Sequence, residues 1–357
     1  MTEDEAGAAP KLRPWLQEVA PYVPGERAPA SAGSLASNEA PLAPPPSVAR
    51  ALARVAGEAH RYPDPLAGGL RRRLAARLAV SPDQILVGNG SDELIQLLVL
   101  AYAAWGGSVA VASPAYRMHE LVATQLGAAV RAVPLAGWHH DLEAMAEVQA
   151  DLAFVCNPHN PTGTAVGVDR VARFVERARA GLVVVDEAYV DFADRPEKVT
   201  SLPLAAAGRV VVLRTFSKVY GLAGLRIGYL VGPEPVVAEL RGIRLPFSVN
   251  SAAQEAALSV LEDEGHREKV RCYTARARAQ LRAAFREAGY ASVPSEANFV
   301  LVMAPREEAL VEHLSSYGVS VRPGSSLGVP NTIRVSVPSP EGMDLVRRAV
   351  AELRPPS

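Results

Sequence analysis

Residues 210–231 read VVVLRTFSKVYGLAGLRIGYLV. Two apolar runs, 210–213 and 225–231, enclose a turn rich in hydroxyls and glycine, and Lys218 sits in that turn. Short, nearly continuous Val/Leu/Ile runs bounded by turn residues are the pattern of strands buried on both faces. A half-buried amine between two such strands gives up its proton readily and can act as a nucleophile. The composition adds weight to the position. Of 37 basic residues only four are lysines, Lys11, Lys198, Lys218 and Lys269. Lys11 lies near the N-terminus, and Lys198 and Lys269 lie in polar, charged surroundings. Lys218 is the amine placed as chemistry would place it.

Outward from this stretch the same pattern repeats. Strand-like runs occur at 85–87, 109–112, 129–133, 152–156 and 182–186. Amphipathic segments alternate with them, such as 167–180, where Val168, Val171, Phe174 and Val175 recur at helical spacing. This alternation predicts an α/β fold with a mostly parallel sheet covered on both faces. The last third reads differently. A helical pattern fills 250–289 with a break at Gly265. Strand 298–302, helix 306–316, strands 318–322 and 332–337 and helix 340–353 then make a smaller α+β unit. The expected organisation is an N-terminal arm over 1–40, a large domain over 41–245 and a small domain over 246–357. The arm is expected to pack on the small domain or on a partner subunit.

The 357 residues carry a net charge of −1, with 49% hydrophobic and 21% charged. That balance argues against a general nucleic-acid or polybasic membrane binder. Cys156 and Cys272 cannot form a disulfide framework, and the acidic start Met1-Thr2-Glu3-Asp4-Glu5 has no apolar stretch behind it. The expectation is a cytoplasmic protein. His139-His140 lacks partners at metal-ligand spacing and reads as solvated, Arg71-Arg72-Arg73 as an exposed helix face, His159 as a loop residue, and no metal is expected.

In open α/β sheets ligands gather at the carboxyl ends of the strands. After 85–87 comes Gly88-Asn89-Gly90-Ser91-Asp92-Glu93, a glycine turn opening a helix, which offers free N–H groups to an anion or, alternatively, caps the helix through Ser91. After 152–156 comes Asn157-Pro158-His159-Asn160-Pro161, whose two Asn-Pro steps make a rigid loop. Asp186 ends the next apolar run, with Tyr189 three residues on, and a carboxylate there is costly unless it meets a cation. Lys218 follows the next run, and Arg226 lies eight residues past it. A lysine, a strand-end carboxylate, a tyrosine, a fixed amide, an anion cradle and an arginine together form the set that a pyridoxal phosphate (PLP) site requires.

The chain also resembles the fold type I, aspartate-aminotransferase-like superfamily of PLP enzymes, from about residue 12 onward. Within it the resemblance is strongest to the histidinol-phosphate aminotransferases. Carrying it are Pro21-Tyr22-Val23-Pro24-Gly25, Leu35-Ala36-Ser37-Asn38-Glu39, Arg61-Tyr62-Pro63-Asp64, Gly88 to Glu93, Thr215-Phe216-Ser217-Lys218, Gly221 to Arg226, Ser295 to Val300 and Arg322-Pro323. The resemblance implies a three-layer α/β/α large domain with a mostly parallel sheet plus a smaller α+β domain, in a homodimer. It implies that Lys218 holds PLP covalently and shuttles the proton, that Asp186 meets the pyridine nitrogen, and that Tyr189 and Asn160 bond the ring oxygen. Tyr116 is expected against the ring face. Gly90, Ser91, Asp92, Thr215, Ser217 and Arg226 are expected around the phosphate, with Tyr62 reaching in from the second subunit. Arg334 is expected to take the substrate's anionic group, with Tyr22, Asn38, Asn160 and Arg322 beside it; Tyr22 and Arg322 read equally as scaffold.

The implied reaction is transamination of histidinol phosphate with 2-oxoglutarate. Actinobacterial aromatic (phenylalanine) aminotransferases share the stretch around Lys218 and are the alternative. Threonine-phosphate decarboxylation and a natural-product aminotransferase are further readings on the same scaffold. A PLP-binding transcriptional sensor needs an appended winged-helix domain, for which the chain has no room, and a binding-only relative would be expected to lose Lys218 or Asp186.

Overall fold

A computed structural model describes residues 11–17, 19 and 24–353. Seven strands form one sheet: β1 Ile85–Gly88, β2 Ser108–Ser113, β3 Ala129–Pro134, β4 Ala150–Cys156, β5 Ala180–Asp186, β6 Val211–Thr215 and β7 Gly228–Val231. Their order is β1-β7-β6-β5-β4-β2-β3. The run from β3 to β6 is parallel throughout, and β7 is antiparallel to both of its neighbours.

Alternation along each strand builds the three layers. Phe154, Val184, Val211 and Leu213 pack with Leu94, Leu98, Val122 and Val237 from the helices Gly90–Tyr102, Arg117–Gln125 and Glu234–Ile243. Their neighbours Val155, Val185 and Val212 face the opposite way, against Leu70, Phe174 and Ala257 from the helices Gly68–Leu78, Val168–Arg177 and Ser251–Leu261. Each fully buried Val or Leu contributes about 2 kcal/mol. Two apolar faces explain why the strands read as unbroken Val/Leu runs.

The strands β8 Phe299–Met303, β9 Arg322–Pro323 and β10 Thr332–Ser336 form a second, antiparallel sheet in the order β8-β10-β9. The helices Glu264–Glu287 and Pro340–Ala351 cover it, with Leu281, Phe285, Val300, Ile333 and Val346 in its core.

Four local expectations are corrected. The strand expected over 225–231 starts only at Gly228. Leu225 closes a 3-10 turn and Arg226 is left-handed (φ 54°), which carries its guanidinium back toward Asp92. The strand expected over 318–322 shrinks to Arg322–Pro323. Ser320 instead exchanges backbone bonds with the N-terminal segment, its N–H donating to Gly33 O and its carbonyl accepting from Leu35 N. The long helix breaks at 262–263, where Asp263 caps the N–H of His266, and Gly265 is helical. Arg71 is not on an exposed face. Its guanidinium is buried and donates to Ile85 O and Pro82 O, tying helix Gly68–Leu78 to β1.

Candidate active site

Lys218 lies just past β6, in the turn before the chain re-enters the sheet as β7. Its Nζ donates to Asn38 O at 3.0 Å and Ser37 O at 3.4 Å, and it sits 5.4 Å from the Tyr189 ring centre. Burial lowers the amine's pKa to about 8, and Arg334 pushes in the same direction; Asp92 and Glu39 oppose them. A fair fraction of this lysine is therefore neutral near physiological pH.

Asp186 is the last residue of β5, and its side chain is buried. Oδ1 accepts from Ala188 N at 3.1 Å, and Oδ2 lies 3.2 Å from His119 Nε2. Sequence reasoning passed over His119. Its ring stacks on Phe154 (4.4 Å, 15°) and meets Tyr116 edge-on. The available signal was spacing: His119 lies three residues after Tyr116, so one helical turn brings it below that side chain. Its buried stacking is also what an ordinary core residue would show.

Asn160 comes from the rigid loop after β4. Its Nδ2 donates to Tyr189 Oη at 3.3 Å, and Asn38 Nδ2 donates to the same oxygen at 3.1 Å. Two amides fill the acceptor side of one phenol, so its own O–H is the donor left to serve a ligand. Burial raises the Tyr189 pKa, which keeps that proton in place. On its other side Asn160 Oδ1 accepts from Arg334 Nη1 at 2.6 Å, and Arg334 Nη2 donates to Ala36 O at 2.7 Å. Arg334 comes from β10 and Asn38 from the N-terminal segment, whose N–H donates to Ser336 Oγ. The small sheet, the N-terminal segment and the large sheet thus meet around one arginine.

The anion cradle is at the start of helix Gly90–Tyr102. Ser91 does not cap this helix, as one reading allowed; Asn89 occupies the cap position and Ser91 lies in the first turn. Gly90 has φ +76°, and a Cβ on it would stand 2.6 Å from Arg226 Nη2. A Cβ on Gly228 would stand 2.8 Å from Ser91 N. Both glycines therefore allow close backbone approach at this corner. Arg226 reaches Asp92 Oδ2 at 3.0 Å and Ser217 Oγ at 3.5 Å, and Tyr116 Oη donates to Asp92 Oδ1 at 3.2 Å. Thr215 Oγ1 accepts from Ser217 N at 3.0 Å, which shapes the turn. A cavity of about 200 Å³ is lined by Ser91, Asp186, Thr215, Ser217, Lys218 and Arg226.

A second cavity, of about 470 Å³, shares Tyr116, Tyr189 and Lys218 with the first and adds Asn38, Asn160, Arg322 and Arg334. Both arginines are buried. Tyr62 is not brought into either cavity. It is 82% exposed and stacks on Phe247, with ring centres 4.7 Å apart. Tyr22 lies outside the described residues. His140, expected to be solvated, is buried, with Nε2 2.9 Å from Cys156 O and its ring edge-on to His159. His159 is buried too and links Thr162 Oγ1 to Pro114 O. Burial lowers the pKa of His140 to about 4 and also lowers that of His159. Among the described residues no group of His, Cys, Asp and Glu is arranged to hold a metal, and no helix is long and apolar enough to cross a membrane.

Residues 33–350 match the family model described as aminotransferase class I and II. The chain is 43% identical to a histidinol-phosphate aminotransferase of Symbiobacterium thermophilum, over 92% of this chain and 95% of that one. It is 39% identical to an aromatic amino acid aminotransferase of Corynebacterium jeikeium, over 96% and 94%. Among solved structures it superposes on a histidinol-phosphate aminotransferase of Sinorhizobium meliloti in complex with pyridoxal-5′-phosphate, with TM-score 0.86 and 28% identity, covering 97% of this chain and 99% of the other.

Proposed function

Because this chain belongs to the aminotransferase class I and II family, we propose a substrate and a division of labour for its site. The enzyme is a PLP-dependent aminotransferase, and the substrate pair is histidinol phosphate and glutamate with their keto partners. The observation that carries this reading is the placement of two buried guanidinium groups, Arg334 and Arg322, in one cavity with Lys218. Glutamate presents an α-carboxylate where histidinol phosphate carries a CH2-phosphate ester. One pocket must hold both anions, and forked, delocalised donors suit that task. The relatives named histidinol-phosphate aminotransferases support the choice.

PLP fits the donors present. The cavity of about 200 Å³ at the helix start, lined by Ser91, Ser217 and Arg226, would take a phosphate. Asp186, anchored by His119, would face the pyridine nitrogen, and Tyr189 with Asn160 would face the ring oxygen. When bound, PLP supplies an electron sink for the carbanion character that develops at the substrate's α-carbon. The chain supplies the rest. Arg334 orients the amino donor through its anionic group, and Asn160 and the Ala36 carbonyl hold the guanidinium in place. Lys218 Nζ, with its lowered pKa, would take the proton from the donor's α-carbon and, in the second half-reaction, deliver one to the α-carbon of the keto acid. Tyr116, the residue before the helix Arg117–Gln125, lines both cavities.

A homodimer belongs to the same proposal. The segments 62–66 and 243–247 lie together through the Tyr62–Phe247 stack and an Arg244 bond to Pro65 O, and they expose Tyr62, Leu66, Ile243, Leu245 and Phe247. An exposed apolar patch of this kind marks an interaction site, and Tyr62 on it would serve the partner's phosphate.

The half-reaction tests the substrate. The PLP-loaded enzyme is mixed separately with histidinol phosphate, phenylalanine and glutamate, and the loss of the cofactor's absorbance near 400–430 nm is followed. Histidinol phosphate is expected to exceed phenylalanine by about two orders of magnitude, roughly 2.7 kcal/mol of transition-state preference. Phenylalanine reacting as fast or faster overturns it. That outcome would favour the aromatic reading, which the 39% identity to the aromatic aminotransferase supports.

A further inference from the structure

The larger cavity is lined by four basic side chains, Arg117, Lys218, Arg322 and Arg334, and, among the described residues, by a single carboxylate, Glu120. Binding of an anion and movement of a proton use Lys218, Arg322 and Arg334. Nothing in that chemistry uses Glu120. It lies in the first turn of helix Arg117–Gln125, its side chain 27% exposed, with Oε2 3.7 Å from Arg117 Nη1. Burial raises its pKa, and Arg117 then His119 oppose the shift. In a site for phosphate and carboxylate groups, a carboxylate repels those anionic groups and is itself partly desolvated.

A carboxylate only accepts hydrogen bonds, so a ligand offsets that cost by bringing a donor. Imidazole carries one ring N–H when neutral and two when protonated; a phenyl ring carries none. The anion-binding guanidinium enters the cavity from β10 and the carboxylate enters from the helix Arg117–Gln125, so head and ring of one ligand would meet different elements. We propose that Glu120 accepts the ring N–H of an imidazole-bearing substrate and so separates imidazole from phenyl side chains. This rests on the amino-donor site described above and names the ring that it selects.

A structural role is the competing account: an acid in a first turn, paired at i,i+3 with Arg117, stabilises the helix modestly. Ring preference tells the two apart, because stability alone does not move it. Histamine and phenethylamine are amines that differ only in the ring. Each is titrated as a competitive inhibitor of the glutamate half-reaction of the PLP-loaded enzyme, in wild type, Glu120→Gln and Glu120→Asp. The expected result is a wild-type preference for histamine that falls at least tenfold in Glu120→Gln and by an intermediate factor in Glu120→Asp. A wild type without preference, or a preference unchanged within threefold in whichever variant folds, overturns the proposal. The readout is independent of histidinol phosphate. An enzyme inert toward histidinol phosphate but with a Glu120-dependent histamine preference would refute the proposed substrate and leave the ring assignment standing.

Discussion

In the proposed site Lys218 and Asp186 are each set by a neighbour. Lys218 is poised by burial and by Arg334, which together lower its pKa to about 8. Capture of the PLP-bound lysine by borohydride should therefore label Lys218, and labelling of the cofactor-free protein by a simple aldehyde with reductant should rise with pH and level off above about 8. Lys218→Ala is expected to lose at least about four orders of magnitude in turnover and to bind PLP without the covalent link. Full transamination by that variant would refute the assignment. Lys218 was legible from sequence because amines are scarce in this chain and only this one follows a buried strand. His119, which holds Asp186, was not legible, because helical spacing and apolar neighbours look the same for a core residue as for a buried hydrogen-bond partner.

At the scale of elements, two loops define the site. The turn into helix Gly90–Tyr102 depends on Gly90, where φ is positive and Arg226 leaves no space for a methyl group. Gly90→Ala is expected to weaken PLP binding about tenfold or more by displacing Arg226, while far-UV circular dichroism stays unchanged; equilibrium dialysis of the cofactor checks it. The loop after β4 rests on His140 and His159, both buried in the neutral form. An unfolded His takes up a proton near pH 6.5, whereas folded His140 resists to about 4. The unfolded chain therefore binds more protons between those values, and stability falls as pH drops from 6.5 toward 4. His140 alone accounts for about 3 kcal/mol over that span. Urea midpoints at pH 7, 6, 5 and 4 should fall accordingly, and the fall should be smaller in His140→Gln. The apolar runs 152–156, 182–186 and 210–213 announced β4, β5 and β6. The boundary at Arg226 did not show, because a left-handed non-glycine residue is set by its tertiary partners, Asp92 and Ser217.

For the molecule as a whole, the proposed dimer makes a specific prediction. If Tyr62 serves the partner's site, Tyr62→Ala and Lys218→Ala subunits complement each other. A hybrid dimer of the two has one site with Lys218 and Tyr62 both intact. Mixing the two inactive or weakened proteins through a cycle of mild dissociation should give hybrids with about half the activity of a wild-type dimer, because one of their two sites is complete. No recovery would place Tyr62 outside the partner's site. The sequence foretold a mostly parallel sheet and a smaller α+β unit, since local periodicity reports both. It did not foretell that Gly33 and Leu35 exchange backbone bonds with Ser320, or that Asn38 binds Ser336. Such pairings join distant parts of the chain and leave no local pattern.

Those same pairings set a schedule for synthesis. The segment around Asn38 leaves the ribosome early, and its partners Ser336 and Arg334 are translated almost last. β1 likewise waits for β7 before it has a neighbour in the sheet. A nascent chain can assemble the β2 to β6 core as it emerges. Arrested before residue 332, it should already hold that core yet lack Arg334, the residue proposed to receive the amino donor. On the proposed assignment the pocket for the cofactor precedes the pocket for the substrate, and a tethered chain arrested at that point is expected to bind PLP but not the amino donor.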